Sequence, residues 1–513
     1  MGFPLHQGDV RDGILDCHWH HARFDISCGA TLDPWADDVD AYRVELRDGD
    51  VFVDSERPRR DPAEHGLQRI RRGLDENLRL VLAKATISME AADVDASVAI
   101  AAGARFGAKE HRAGWLSGTT ILSCMANVLD VMAPDDRTRA LTKALAWIAE
   151  ECQGQPPRRP LPGLDGTQRD AAGLRRWLRE TVEVRDADGT ERILRALVEQ
   201  HGSDAALDAV LAACTDHRYC DAGHTLDFTL KCAELAERLP EDAPLLFTAL
   251  APQLVQMQRM EETSAWRRPV DVAALVAAGA ERIPAEFGKA LLADEDALVK
   301  GMLDADPART VDEILGQLED GVSPVALADA VVLASIRRIL RFGTVNEVPD
   351  WETVHHTYSY ANAVAEGLRR VPSRELFRGV LDGAMSVYLD RFLNVPPAKM
   401  PAPSDADLLA LYDQRASVDE AAAAAAGFAG EEWDLFRTLA HAVLREDAGF
   451  HDYQQVDLMA RLLQRRGGTD EAKLGLIATA RWLAARYPTR RAQEQTYSIA
   501  WRLHRGDALH EIE

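Results

Sequence analysis

Cysteines, aromatic residues and long apolar runs are all scarce in this chain of 513 residues. The cysteines number only seven and are scattered, and an odd, dispersed set of this kind does not make a disulfide framework. Aromatic residues make up 6% of the sequence. No apolar run is long enough to span a bilayer, and there is no secretory h-region at the N-terminus. We therefore expect a cytoplasmic protein that has no membrane partner.

Basic residues are also few relative to acidic ones. The chain has 59 lysines and arginines against 83 aspartates and glutamates, which gives a formal net charge of −24. Such a surface repels phosphate backbones, so a nucleic-acid partner is not expected, whereas a basic redox partner could dock on it. The length exceeds that of a single core and predicts at least two domains. Abundant alanine and leucine favour helices.

The first 54 residues differ from the rest because they contain strand patterns. Tyr42, Val44 and Leu46 alternate with charged residues, which is the period of a half-buried strand. Asp48-Gly49 is a turn signal, and residues 51–53 form the predicted return strand. This stretch therefore predicts a β-hairpin.

The remainder of the chain is predicted to be helical. Residues 55–68 are polar, contain two prolines and are interpreted as a linker. Helical periodicity then dominates residues 69–513, and a proline-rich connector at 153–168 is a possible subdivision. Helices of similar length suggest an α-bundle or stacked helical pairs, and we found no fixed repeat period.

The motif Cys17-His18-Trp19-His20-His21 is the most informative in the sequence. Cys17 and His20 have the C-x-x-H spacing, and a thiolate and an imidazole on a tight turn after a short strand can converge on one inorganic cluster. With the flanking residues Gly8 to Asp16 and Arg23-Phe24-Asp25, the motif resembles the second ligand box of a Rieske [2Fe–2S] domain. The hairpin at 42–53 resembles the closing hairpin of that family.

This resemblance implies a fold, a cofactor and an activity. It implies that residues 1–54 are part of a small all-β domain, so that the chain is an α+β multidomain protein with a large all-α domain after it. It also implies a [2Fe–2S] cluster in which Cys17 binds the inner iron and His20 the outer one. The implied role is electron transfer in an oxidoreductase or oxygenase system, with a reductase or oxygenase component as partner.

The first ligand box of the resemblance, a C-x-H pair, is missing. It would lie immediately before Met1, and no C-x-H pair occurs in the 513 residues. We interpret the domain as truncated at its N-terminus, with the native start upstream. The alternative is a degenerate domain that has lost its cluster.

Histidines in the helical region form several polar clusters that could hold a metal. A mononuclear iron site requires two histidines and one carboxylate. His217, His224 and Asp227 could supply that set, with His356 or His111 nearby. His217 and His224 are seven residues apart, which is about two turns if the helix is continuous.

Other interpretations of these clusters remain open. A di-iron site needs two Glu-x-x-His motifs, and only Glu352 with His355 was found. Cys214 and Cys220 with His217 and His224 could form a zinc site, although the spacing is shorter than usual. Asp447 and His451 could face the same way at i,i+4 spacing. Each histidine could equally be a hydrogen-bonded helix cap.

Two functions follow from the sequence. The first is a Rieske-type electron-transfer protein, a possible oxidoreductase, whose helical domain has unassigned chemistry. The second is a helical binding or scaffold module that carries a vestigial Rieske remnant. Colour separates the two, since a Rieske protein is red-brown.

Overall fold

The fold is described from a computed structural model that covers residues 4–18, 21–33, 36, 38–54, 56, 61–164, 169–262, 270–304, 306–343, 346–415, 417–505 and 507. Strands occupy the N-terminal part and helices nearly all of the rest. Five strands are described: β1 (Asp9–Arg11), β2 (Ile14–Asp16), β3 (Arg23–Asp25), β4 (Val44–Arg47) and β5 (Asp50–Val53).

The strands form two separate antiparallel sheets. One has the order β1-β2-β3, with Asp9 opposite Asp16 and Asp16 opposite Arg23. The other is the predicted hairpin β4-β5, whose turn at Asp48-Gly49 has positive φ at both residues. The predicted half-burial of this hairpin is wrong, because its apolar side chains are more than half exposed, Leu46 at 74% for example. A Rieske-like β domain thus remains a prediction.

Twenty-three helices follow the strands in the described part of the chain. The first twelve are α1 (Pro62–Asp75), α2 (Arg79–Ala91), α3 (Ser97–Lys109), α4 (Ser117–Val128), α5 (Pro134–Cys152), α6 (Ala171–Glu183), α7 (Ala187–His201), α8 (Ser203–Thr215), α9 (His224–Arg238), α10 (Ala243–Thr248), α11 (Ala251–Gln256) and α12 (Val272–Ala280). The others are α13 (Glu295–Asp304), α14 (Pro307–Glu319), α15 (Pro324–Leu340), α16 (Val348–Arg370), α17 (Arg374–Leu389), α18 (Leu408–Asp413), α19 (Val418–Ala426), α20 (Glu432–Leu444), α21 (Phe450–Arg466), α22 (Asp470–Ala484) and α23 (Ala492–Arg505).

The helical region begins earlier than the sequence suggested. Pro62 is the first residue of α1, and the Asp61 carboxylate caps the helix by accepting from the backbone N–H of Ala63 and Glu64. Residues 62–68 are therefore helix and not linker. The proline-rich connector agrees better with expectation, since residues 153–164 contain neither helix nor strand.

Salt bridges fasten the N-terminal part to the first helices. Asp38 lies 2.7 Å from the Arg69 guanidinium and 2.6 Å from the Lys84 ammonium group. Asp25, at the end of β3, pairs with Arg72. Arg69 and Lys84 are almost fully buried, so these ion pairs are largely shielded from water.

The helices share one large apolar core, and four of them converge near its centre. Helix α9 packs against α4 and α16, and α21 packs against α4, α16 and α22. This convergence places the first residues of α9 and α21 beside the first half of α16. None of the described helices combines the length and the apolar character that a bilayer crossing requires.

Candidate metal centre

The turn before α9 has an unusual backbone. Tyr219, Asp221 and Ala222 all have φ near +50°, in the left-handed region that non-glycine residues rarely adopt, and Gly223 has φ of 95°. Asp221 secures the turn, because its carboxylate accepts from the backbone N–H of Gln258 (2.8 Å) and from the Thr225 hydroxyl (3.0 Å). Strained backbone of this kind concentrates at functional sites. Here it sets the position of His224, the first residue of α9.

Two further histidines reach the same place from other helices. His356 lies in α16, one turn after Glu352. His451 is the second residue of α21, whose first turn is secured by the Asp452 carboxylate accepting from the backbone N–H of Gly449. His356 is 132 positions after His224 in the chain, and His451 is 227 positions after it. The three histidines are therefore neighbours only in the folded protein.

His224, His356 and His451 form one compact cluster. Their ligand nitrogens all lie within 4.8 Å of one another, and in the described residues no other group of cysteine, histidine and carboxylate side chains is this compact. The Nε2 atoms of His356 and His451 are 2.9 Å apart. The ring centroid of His224 lies 4.5 Å from that of His356 and 5.4 Å from that of His451.

All three imidazoles are held in the neutral form. Burial lowers the pKa of His356 to about 2 and lowers that of His224. The pKa of His451 is also well below its usual range, because of burial and of the neighbouring imidazoles. His224 and His451 start helices, whose positive ends further disfavour an imidazolium. Neutral imidazole is the form that binds metal ions.

Aromatic and amide side chains surround the cluster. Phe228 and Phe450 pack against His224, with ring centroids at 5.7 and 5.6 Å. On the other side His355 is fully buried, 5.1 Å from the ring of His451, and both its ring nitrogens contact glutamine amide oxygens. The cluster thus has an apolar wall and a polar wall.

The geometry fits a single transition-metal ion. A metal bonded to imidazole nitrogens at about 2.0–2.1 Å holds adjacent ligand atoms about 3 Å apart. The Nε2 atoms of His356 and His451 are at hydrogen-bond distance, 2.9 Å, which is close to that spacing, and the third ring has a ligand nitrogen within 4.8 Å of both. Three protein ligands leave coordination positions open for water or a substrate, which is the arrangement of catalytic metal sites.

The structure brings together two of the histidines predicted for the helical pocket, His224 and His356. It places two others elsewhere. The His111 ring accepts from the backbone N–H of Ala113 in its own loop, and the His217 ring lies between Glu183 (2.7 Å) and Glu261 (2.6 Å).

The grouping of His217 with His224 is wrong for a local reason. It assumed a continuous helix, but α8 ends at Thr215 and the left-handed turn separates the two residues. The thiols of Cys214 and Cys220 lie in the core and are in no compact ligand group of the described residues, so the zinc alternative is not supported there.

Asp227 lies behind the cluster rather than in it. Its buried carboxylate accepts from the amide of Gln454, and the oxygen of that amide is 3.2 Å from Nε2 of His355. Burial raises the pKa of Asp227 to about 6. Asp227 therefore contacts the site only through Gln454.

His451 is the ligand that the sequence-based set omitted. It was considered only as a partner of Asp447, but Asp447 precedes α21 and its carboxylate accepts from the backbone N–H groups of Ala492 and Gln493 at the start of α23. The local signal was a histidine in the first turn of a helix that follows a glycine: His224 comes directly after Gly223, and His451 is the second residue after Gly449.

Cys17, the first residue of the C-x-x-H motif, directly follows β2. Cys17 is buried, its N–H donates to the carbonyl of Ala22 (2.9 Å), and its carbonyl accepts from the N–H of His21 (2.8 Å), which closes a tight turn. His20 lies outside the described residues. Among the described side chains Cys17 belongs to no compact ligand group, so this part of the chain does not fit a four-ligand cluster by itself.

Comparisons with known proteins give no family for this chain. No protein-family model, no curated protein sequence and no solved structure matches it. The function is therefore argued from the site alone.

Proposed function

We propose that this protein is a metalloenzyme whose helical part binds one divalent first-row transition-metal ion through His224, His356 and His451. The observation that carries this proposal is the convergence of three neutral imidazoles from three helices within 4.8 Å. Imidazole suits iron, zinc, copper and nickel, so the ligand set defines the class of ion. A metal in this site would supply open coordination positions to a small substrate, and the aromatic pair Phe228 and Phe450 would form the wall beside it.

The protein's own contribution is a preorganised set of imidazoles whose burial disfavours the charged form. Neutral rings need not release protons before they bind the ion, so metal binding costs no deprotonation at neutral pH. The left-handed turn before His224 and the capped first turn of α21 fix two of the ligands on rigid helix ends. Sites built on rigid elements keep their geometry better than sites on loops.

The test is metal binding by the full chain. Metal content after purification, followed by Co²⁺ titration of chelator-treated protein, identifies the ion class and the stoichiometry. His451→Ala should weaken Co²⁺ binding by more than about 100-fold, because loss of an outer partner alone costs 10–100-fold. The matched control is His441→Ala, since His441 is a partly buried imidazole bonded to Asp136. Wild-type affinity in His451→Ala would reject the proposal.

Iron–sulfur electron transfer by the N-terminal segment is a second proposed function, favoured by the position of Cys17 in the closed turn after β2. It would make the protein a component of an oxidoreductase system that receives electrons from a redox partner. The visible and paramagnetic spectra of a chain extended upstream of Met1 test it: Cys17→Ser should abolish the cluster signal, and Cys28→Ser should not. A colourless protein with no metal at either place would instead indicate the scaffold function.

A further inference from the structure

Glu352 lies beside the histidine cluster, next to one of the two ring nitrogens of His451. The two nitrogens of this ring therefore have different neighbours. Nε2 of His451 faces Nε2 of His356 at 2.9 Å, inside the cluster. Nδ1 of His451 faces the carboxylate of Glu352, with Oε1 at 3.7 Å. Glu352 is therefore on the side of the ring that points away from the other ligands.

Arg486 holds that carboxylate from the opposite side. Its guanidinium lies 3.1 Å from Oε1 of Glu352 and 3.3 Å from Oδ1 of Asp452, and it stacks over the ring of Trp482 at 4.7 Å. Asp452 also secures the first turn of α21, the turn that carries His451. The side chains of His451, Glu352, Arg486 and Asp452 thus follow one another in a chain of contacts beside one helix end.

We infer that Glu352 is the positioning residue of the metal centre, which rests on the metal site proposed above. Its carboxylate oxygen lies 3.7 Å from Nδ1 of His451, beyond hydrogen-bond distance, and its negative charge favours the tautomer with the proton on Nδ1, which leaves Nε2 with the lone pair as the ligand atom. A carboxylate behind a metal-bound histidine orients the ring and raises its basicity. Three neutral imidazoles leave the charge of a divalent ion unbalanced, and the carboxylates of Glu352 and Asp452 share the single guanidinium of Arg486, so one negative charge is left over near the ion.

Two substitutions separate orientation from charge. Glu352→Gln keeps a polar side chain of the same size beside Nδ1 but removes the charge, and Glu352→Leu removes both the polarity and the charge. Co²⁺ affinity should fall by about 10-fold in the first variant and about 100-fold in the second, the range found for outer partners of metal ligands. The visible absorption of bound Co²⁺ should also change in Glu352→Leu, because the ring of His451 is no longer held at one angle.

The matched control is Glu375→Gln. Glu375 is a half-buried carboxylate paired with Arg175 and Arg179, as Glu352 is paired with Arg486, so its loss costs a similar ion pair away from the histidines. It should leave Co²⁺ affinity and absorption unchanged.

The outcomes distinguish the two proposals. Wild-type Co²⁺ affinity and absorption in a folded Glu352→Leu protein, with binding lost in His451→Ala, would overturn the role of Glu352 and leave the metal site standing. Wild-type affinity in both variants would overturn both. A loss in Glu352→Leu with an unchanged Glu375→Gln supports the inference, provided that far-UV circular dichroism shows the variants folded.

Discussion

Removal of His356 should make the metal-free protein less sensitive to acid. Burial lowers the pKa of this imidazole to about 2, whereas an unfolded histidine titrates near 6.5. Below pH 6.5 the unfolded chain therefore binds a proton that the folded chain does not. The stability that depends on His356 is complete above pH 6.5 and is lost progressively as the pH falls towards the folded value.

The magnitude follows from the difference in proton binding. Between pH 7.5 and pH 5.5 an unfolded imidazole goes from about one tenth to about nine tenths protonated, which is worth about 1.4 kcal/mol at 1.36 kcal/mol per pKa unit. We expect the free energy of unfolding of the wild-type protein to fall by about 1.4 kcal/mol more than that of His356→Gln over this interval. The comparison cancels the carboxyl groups that titrate in both proteins.

The assay is urea unfolding of chelator-treated protein at the two pH values, monitored by circular dichroism and by tryptophan fluorescence. The transitions seen by the two probes must coincide for a single free energy of unfolding to be defined. If the free energy of unfolding falls between the two pH values by the same amount in both proteins, to within about 0.3 kcal/mol, the imidazole of His356 titrates as it does in water. The argument that burial keeps the ligand set neutral would then be refuted.

Two other predictions concern the neighbourhood of the site. His217 should show the opposite pH dependence, because hydrogen bonds to Glu261 and Glu183 raise its pKa. The stability that His217 contributes is therefore complete below pH 6.5 and is lost as the pH rises through the pKa of the folded state. Unfolding free energies of the wild-type protein and of His217→Gln at pH 5.5 and pH 8 check the direction of this change. Gly223→Ala should cost at least about 2 kcal/mol, since the residue has φ of +95° and an added Cβ meets the Tyr360 side chain at 3.0 Å, while Gly154→Ala at φ of +70° meets nothing within 4 Å and should cost about 1 kcal/mol. Equal losses in the two glycine variants would contradict the close packing assigned to Gly223.

The local features of this protein could be predicted from the sequence because they depend on nearest neighbours. The β4-β5 hairpin follows from alternation and an Asp-Gly turn, and most of the helices from apolar periodicity, although the start of α1 after Asp61 was not predicted. The exposure of the hairpin could not be predicted this way, since period-two alternation shows which residues share a face and not what covers that face.

The metal ligands were predictable only in part. His224 and His356 were recognisable as histidines in unusual polar contexts, whereas His111 and His217, equally unusual in sequence, have other partners. The left-handed turn before His224 is formed by Tyr219, Asp221 and Ala222, residue types that do not signal such a backbone. Its stability comes from contacts with Gln258, about 40 residues away.

The sequence by itself determined an acidic, cysteine-poor, mainly helical chain with a strand-forming N-terminus and a C-x-x-H turn after β2. Only the tertiary structure decided which histidines meet, because a ligand set drawn from α9, α16 and α21 depends on how those helices pack and not on spacing along the chain. Packing also set the chemistry of the set: burial among apolar neighbours disfavours the positively charged rings, and Glu352 lies beside Nδ1 of His451 while Nε2 of that ring faces His356.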